Sequence, residues 1–310
     1  MDLTGSKVSR GAGAAQSETL LDCVAGVPVR QHTPALKWVL GLTLVIMVAE
    51  VVGGWLANSL ALLADAGHML TDSAAVALAL FASWVATRPA TAAKTFGYLR
   101  LEILAALING TLLIGLAGLI VWQALGRFVM PPEIEPRILF GVATVGLIGN
   151  AVALKILHSG HEQSLNVRGA YLHVLGDLLG SIGAMTAGAV ILLTGWTVAD
   201  PLISLLIAIL ILVGAVRLVR ESVDVLLEAT PPHIDLNEVA NAIAAVPGVV
   251  QVHDLHVWTV TSGVVAMSGH AVVCEPEQNQ RVLAAVQERM TDLGIDHVTV
   301  QIENDVSCCR

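Results

Sequence analysis

Six runs of apolar residues follow one another between residues 38 and 219, at roughly 38–58, 61–86, 100–123, 137–158, 168–194 and 199–219. A helix of about 20 apolar residues crosses the ~30 Å hydrocarbon core of a bilayer, so the pattern predicts six transmembrane helices. Loops one and five are short, and Asp200-Pro201 opens the sixth run, where a helix tolerates proline in its first turn. After residue 220 the period changes. Residues 235–245 predict a helix, opened by Asp235-Leu236-Asn237-Glu238 and ended by Pro247-Gly248. Val249 to Thr261 and Val264 to Cys274 are Val-rich strands joined by a Ser262-Gly263 turn. Residues 276–292 predict a second amphipathic helix, with Val282, Leu283, Val286 and Met290 on one face. Residues 297–303 alternate like a closing strand. The expected fold is an α-helical polytopic membrane protein with a C-terminal cytoplasmic α+β domain of αββαβ order. Three segments are expected: a flexible Gly-, Ala- and Ser-rich stretch over 1–36, a membrane domain over 37–220, and a domain over 221–310.

Composition narrows the class. Of 310 residues 55% are hydrophobic and 13% charged, which excludes an ordinary soluble enzyme. The 28 glycines suit close approach of membrane helices. The net charge of −9, much of it after residue 220, argues against nucleic acid as a partner. Residues 1–35 hold no apolar core of signal-peptide length, so the first membrane helix is expected to direct insertion. Arg30, Lys37, Arg88, Lys94, Arg100, Lys155, Arg168, Arg217 and Arg220 would fall on one side of the membrane, and Arg127 and Arg137 on the other. By the positive-inside rule both termini are expected in the cytoplasm. The four cysteines show no disulfide framework, which fits that side.

The chemistry lies in two of the apolar runs. The second contains His68 and Asp72, and the fifth contains His173 and Asp177. Positions i and i+4 of a helix lie ~40° apart around the axis, so each pair points one way. Two such helices offer two imidazoles and two carboxylates, a ligand set for Zn²⁺ or a similar divalent ion. Ionisable residues within membrane helices are expensive and mark function. Left alone, two carboxylates repel and neutral histidines cannot offset them, whereas a bound dication does. Asp65, three residues before His68 and near the same face, has two readings: an interface-edge cap or hydrogen-bond partner of the backbone, or a residue that supports these ligands from behind or lines the access path. Glu50, Asn109 and Asn150 are polar within apolar runs and are expected to serve helix packing. The Gly176-x-x-x-Gly180 spacing suggests close helix contact near the site.

Taken together, these stretches resemble the cation diffusion facilitator family, and within it the bacterial cobalt–zinc–cadmium resistance subgroup. The resemblance is carried by Ser59 to Asp72 (SLALLADAGHMLTD), Thr95 to Leu104 (TFGYLRLEIL), Leu165 to His173 (LNVRGAYLH), Val252 to Trp258 (VHDLHVW) and His297 to Glu303 (HVTVQIE). It spans nearly all of the chain beyond residue 36. It implies a homodimer in the cell (inner or plasma) membrane that exports divalent metal in exchange for protons by alternating access. It also implies a metallochaperone-like tail with a regulatory metal site at His253, His270 and Glu303. Gln301 stands where some relatives place a histidine, so that site is expected to be mononuclear or to borrow Cys23, Cys308 or Cys309 from the partner chain. No metal is expected in the loop from Arg88 to Leu99, which lacks His and Asp, and His158 and His161 are expected to be solvated loop residues. Trp258 and His256 are expected to pack rather than ligate.

Ligand chemistry sets the expected mechanism. Metal needs neutral imidazole and ionised carboxylate, so its binding releases protons. Imidazole titrates within a cell's pH range, so protons arriving from outside are expected to expel the metal. The mixed N and O set suits Zn²⁺ as cargo and as regulatory ligand, with Cd²⁺ and Co²⁺ as further substrates and no organic cofactor. Three rivals stand beside the antiporter. A membrane metal sensor would bind Zn²⁺ without flux. A metalloenzyme would need a positioned base, as in H-E-x-x-H, which is absent. A channel needs ligands weak enough to let the ion leave.

Overall fold

The computed structural model of the chain describes residues 33–86, 88–158 and 165–304. Residues 1–32, His161, Cys23, Cys308 and Cys309 lie outside the described residues. Six long helices come first: α1 Thr33–Ala57, α2 Leu60–Ala86, α3 Leu101–Val129, α4 Pro136–His158, α5 Leu165–Thr194 and α6 Ala199–Leu226. Then follow α7 Leu236–Ala244, β1 Val249–Thr261, β2 Val264–Val273, α8 Asn279–Asp292 and β3 His297–Asn304. Their number and order are those expected. The third and sixth helices run longer than the apolar runs, to Val129 and Leu226, because helical hydrogen bonding continues past the last lipid-compatible residue. A 3₁₀ turn over Pro276–Gln278 precedes α8, where one continuous helix was expected.

Five of the long helices are long and apolar enough to cross a membrane by length and composition. The remaining one, α2, has 27 residues, ~40 Å at 1.5 Å per residue, and carries Asp65, His68 and Asp72. Large side chains such as Trp38, Trp55, Leu112, Trp122, Leu193 and Leu210 are more than half exposed on these helices. Such a surface is unfavourable in water and suits lipid.

The chain divides into two compact units. The first comprises Met1–Ala77, Thr87–Gly97 and Leu112–Ala215. In it α2 packs on two sides. Ala61 and Leu62 join Leu139 and Ala143 of α4, and Ala184, Ala187 and Ile191 of α5. Leu60 and Ala64 join Leu113, Ala117 and Ile120 of α3, and Ile207, Ala208 and Ile211 of α6. Small residues dominate because membrane helices gain stability from close backbone approach rather than from hydrophobic expulsion. Gly188 makes this explicit: a Cβ there would lie 3.0 Å from both Cα and N of Phe140 in α4. Backbone cannot give way, so Gly188→Ala is expected to separate α4 from α5 and destabilise the unit by about 1–3 kcal/mol. Thermal unfolding in detergent measures this, and Gly115→Ala, where nothing lies within 4 Å, is the control.

A polar clasp fixes the start of α2. Asp200, fully buried at the head of α6, accepts from Ser59 Oγ (2.5 Å), Leu60 N (2.8 Å) and Ala61 N (3.2 Å). It thus caps a helix distant in sequence, satisfying donors that have no partner inside that helix. Arg127 of α3 completes the clasp. Its Nη1 lies 3.3 Å from Asp200 Oδ2 and donates to Asn58 O at 2.7 Å, while Nη2 reaches Asn58 Oδ1 at 3.2 Å. Asn58 has φ 51°, a left-handed conformation that Asn tolerates better than most residues, and it turns the chain between α1 and α2.

The second unit comprises Leu78–Ala86, Tyr98–Thr111 and Val216–Arg310. Its sheet has the order β1-β2-β3, antiparallel between β1 and β2 and parallel between β2 and β3. A parallel pair needs a crossover, and α8 supplies it. Asp235 caps α7 as its sequence suggests, accepting from Asn237 N. Val239 and Ile243 of α7 and Val282, Val286 and Met290 of α8 cover Val257, Val265, Met267 and Ala271 of the sheet. Trp258 is partly buried, whereas His256 lies exposed and bonds Asp254 instead of packing. Within this unit Glu102, in the first turn of α3, accepts from Thr261 Oγ1 and Ser262 Oγ, both at 2.7 Å, at the β1–β2 turn.

Candidate metal centre

The helical spacing of α2 and α5 brings the four membrane residues together. Asp72 Oδ2 is their meeting point, 3.5 Å from His68 Nε2 and 3.3 Å from His173 Nδ1. His173 Nε2 in turn lies 3.6 Å from Asp177 Oδ2. The two imidazoles stand edge to face with centroids 6.2 Å apart. These separations exceed ordinary N–H···O bonds of ~2.9 Å. Ligands bound at 2.0–2.1 Å around a tetrahedral ion sit ~3.3–3.4 Å from one another, given those bond lengths. The contacts run as a chain, from His68 through Asp72 and His173 to Asp177. His173 presents a different nitrogen to each carboxylate, Nδ1 to Asp72 and Nε2 to Asp177.

Exposure is graded across the site. The side chains of His68, Asp72 and His173 are 29%, 22% and 37% exposed, and that of Asp177 is 0% exposed. Burial thus deepens from His173 and His68 towards Asp177. Neither oxygen of Asp177, nor Nδ1 of His68, has a hydrogen-bond partner. Buried acceptors without partners are uncommon in folded proteins, and here they border the residues that spacing singled out.

Asp65 is 2% exposed, and its Oδ1 is pressed against α5, where a Cβ on Gly180 would stand 2.6 Å away. Gly180 is therefore the small residue that lets the helices meet; the position of a Cβ on Gly176 is open. Asn109 and Asn150 are buried, the latter donating to Ser181 Oγ at 3.2 Å. Glu50 is fully buried. Its isolation, and the Arg127–Asp200 clasp, escaped the sequence reading. The available signal was an ionisable residue inside an apolar run, which justifies suspicion in every instance.

The second unit assembles another cluster. His253 and His270 are direct cross-strand partners on β1 and β2, and Glu303 lies on β3. Glu303 Oε2 is 3.1 Å from His253 Nε2, and its Oε1 is 2.8 Å from His270 Nδ1. One atom from each of the three lies within 4.8 Å of the others. The hydrogen bond from His253, joined by that from His270, holds the Glu303 carboxyl below the usual carboxylate range. Gln301 Nε2 donates to Glu303 Oε1 at 3.2 Å, so it orients the carboxylate where a histidine would ligate. Asp254, at φ 50° on an irregularity of β1, turns its carboxylate to His256 (3.0 Å) and His270 (3.7 Å).

Comparison with known proteins identifies the family. Residues 36–227 match the family profile described as the cation efflux transmembrane domain, and residues 231–305 match the cytoplasmic domain of cation efflux proteins. The chain is 42% identical over 264 residues to a "Cadmium, cobalt and zinc/H(+)-K(+) antiporter" of Bacillus subtilis, covering 84% of this chain and 85% of that one. It is 44% identical to "Zinc transporter ZitB" of Escherichia coli over 89% of both chains. It is 45% identical to "Metal cation efflux system protein CzcD" of Cupriavidus metallidurans over 87% of this chain and 86% of that one. Among solved structures, the metal-bound C-terminal domain of the CzcD transporter matches 23% of this chain and 99% of its own at 38% identity, with a TM-score of 0.21. Both parts of the sequence and relatives of matching length thus agree, and the chain belongs to the cation diffusion facilitator family, of the cobalt–zinc–cadmium type, as a membrane metal efflux transporter rather than an enzyme.

Proposed function

We propose that the protein exports Zn²⁺ from the cytoplasm in exchange for protons, with Cd²⁺ and Co²⁺ as further substrates. His68, Asp72, His173 and Asp177 hold the ion. The observation that carries this is Asp72 Oδ2 standing 3.5 and 3.3 Å from the two histidines of different helices. The cargo enters by the exposed side of the site and is bound by ionised carboxylates and neutral imidazoles. Protonation of the histidines competes with it and expels it. Because the ligands sit on two helices, a change in the angle between α2 and α5 spreads them and weakens the site. That is the element of alternating access. The name of the Bacillus subtilis relative supports proton exchange and the range of metals.

The protein is a homodimer of the plasma membrane with both termini in the cytoplasm. Its membrane domain spans 37–220 and its cytoplasmic domain 221–310. His253, His270 and Glu303 form a regulatory Zn²⁺ site there, whose occupancy tightens the dimer by mass action. The two imidazoles and the ionised carboxylate fit Zn²⁺. Protonation opposes that metal. Glu303, with its lowered value, stays ionised until the pH falls below the usual carboxylate range. His253→Ala is expected to weaken Zn²⁺ binding at this site by at least ~10-fold, on the scale of lost metal partners, while flux at saturating Zn²⁺ persists. Equilibrium binding to the full-length variant measures it.

The exchange reading is tested in proteoliposomes with an imposed pH gradient and a trapped pH dye. Zn²⁺ uptake that dissipates the gradient is expected. Uptake that leaves the gradient untouched contradicts it.

A further inference from the structure

Glu102 lies in the first turn of α3, and both of its carboxylate oxygens reach far along the chain. Thr261 Oγ1 donates to Oε2 and Ser262 Oγ to Oε1, each at 2.7 Å. That is the usual length of a good O–H···O bond, and bonds to a carboxylate are the stronger kind. A carboxylate at this place commonly serves its own helix, whose first N–H groups lack partners. Glu102 gives both oxygens to hydroxyls 159 and 160 residues away. All three residues belong to the second compact unit.

The hairpin tip is shaped for this contact. Successive residues of a regular strand point to opposite faces, so two adjacent hydroxyls meet one carboxylate where the strand gives way. β1 ends at Thr261, after a register irregularity between Thr259 and Thr261, and the turn follows through Ser262 and Gly263, whose φ is 75°. Such irregularities re-aim side chains. Thr261 is 6% exposed, so its hydroxyl depends on the acceptor that Glu102 supplies. A neighbouring tie in the same unit is of the weaker sort. Arg100 Nη2 lies 2.8 Å from Glu228 Oε1, but the two side chains are 39% and 57% exposed, and exposed ion pairs contribute little.

The far end of the same hairpin carries the cytoplasmic cluster. His253 pairs with His270 eight residues before Thr261, ~27 Å away along β1 at ~3.4 Å per residue. Between these ends Val257, Val265 and Met267 pack with α7 and α8 in one core. The paired strands are thus a stiff element with ligands at one end and the head of α3 at the other. From there α3 runs unbroken, from Leu101 to Val129.

We propose that Glu102 is a positioning residue for transport: through Thr261 and Ser262 it fastens the β1–β2 hairpin to α3, so that metal held at the far end of the hairpin is felt by a membrane helix. An ion joining His253 of β1, His270 of β2 and Glu303 of β3 fixes the three strands against one another. With Glu102 in place, that constraint extends to the first turn of α3. Without it the cluster still fills, and the membrane domain no longer responds. This rests on the regulatory reading of the cluster given above, and names the route by which it acts.

The test uses the full-length protein and Zn²⁺ as probe. Zn²⁺ loading of the wild type is expected to slow amide hydrogen exchange in the first turn of α3. In Glu102→Ala the cluster is expected to bind Zn²⁺ with wild-type affinity while the slowing in α3 is lost, as it is in His253→Ala. In proteoliposomes Glu102→Ala is expected to keep its maximal flux but to need ~5-fold or more Zn²⁺ for half of it, the low end of couplings between sites. His253→Ala is expected to show the same shift. The double variant is expected to be no worse than either alone, because both break one route. Glu102→Gln, whose amide accepts from one hydroxyl and donates to the other, is expected to keep the coupling. Should Glu102→Ala not fold, Thr261→Val with Ser262→Ala removes the same two bonds from the other side and is expected to behave alike. Slowing in α3 that persists without the carboxylate overturns the proposal, as do shifts that add in the double variant. A His253→Ala protein with wild-type half-saturation sinks the regulatory reading itself, which separates the two failures.

Discussion

Asp72→Ala is expected to abolish metal transport, with Zn²⁺ flux at least ~100-fold below wild type. Loss of an outer partner of a metal ligand alone lowers affinity 10–100-fold, and Asp72 sits at the centre of the site. Its Oδ2 makes two of the three contacts that join the four residues. Without it the histidines stand 6.2 Å apart with no acceptor between them, and Asp177 is left as the one carboxylate. The substitution is expected to spare the fold, because Asp72 is partly exposed and belongs to none of the apolar clusters. Flux in proteoliposomes and Zn²⁺ binding to the same preparation measure it. Wild-type flux in a well-folded Asp72→Ala protein would remove these residues from the transport path.

Asp200→Ala is expected to have the largest effect on stability, ~3–5 kcal/mol, the range for removing one partner of a buried ion pair. Three donors of Ser59, Leu60 and Ala61 lose their acceptor, and Arg127 keeps a charge with no counterpart. Arg127→Ala is expected to cost less, because Asp200 retains those three donors and Arg127 is itself partly exposed. Asp200→Asn should fall between them, since its amide still offers one oxygen to the helix start. Thermal unfolding in detergent orders the three. A milder Asp200→Ala than Arg127→Ala would contradict the view that Asp200 chiefly caps α2. Loss of the cap also loosens the helix bearing His68 and Asp72, so flux is expected to fall with stability.

The helices, the strands and the paired His and Asp were legible because each obeys a local period. Twenty apolar residues dictate a span, alternation dictates a strand, and four residues along a helix return to one face. His253 and His270 were legible as candidates, yet their pairing depends on strand register, with Glu303 on a third strand. The partnership of Asp200 with Ser59 was beyond local reasoning, because 141 residues separate them and only packing of α6 against α2 joins them. Glu50 was noticed as polar but read as packing. Its lack of partners is a property of the assembled helices, where Gly146 and Gly180 admit carboxylates that longer side chains would exclude. Gln301 shows the reverse: the residue type suggested a missing ligand, and the geometry gives it a hydrogen bond to the one that remains.

The central claim is that His68, Asp72, His173 and Asp177 surround the transported ion. X-ray absorption at the zinc edge tests it most directly, on full-length protein carrying His253→Ala and His270→Ala so that the membrane site alone is loaded. Two imidazole nitrogens and carboxylate oxygens at ~2.0–2.1 Å are predicted, and Asp72→Ala should abolish that shell. A shell lacking imidazole, or one that survives Asp72→Ala unchanged, would contradict the account.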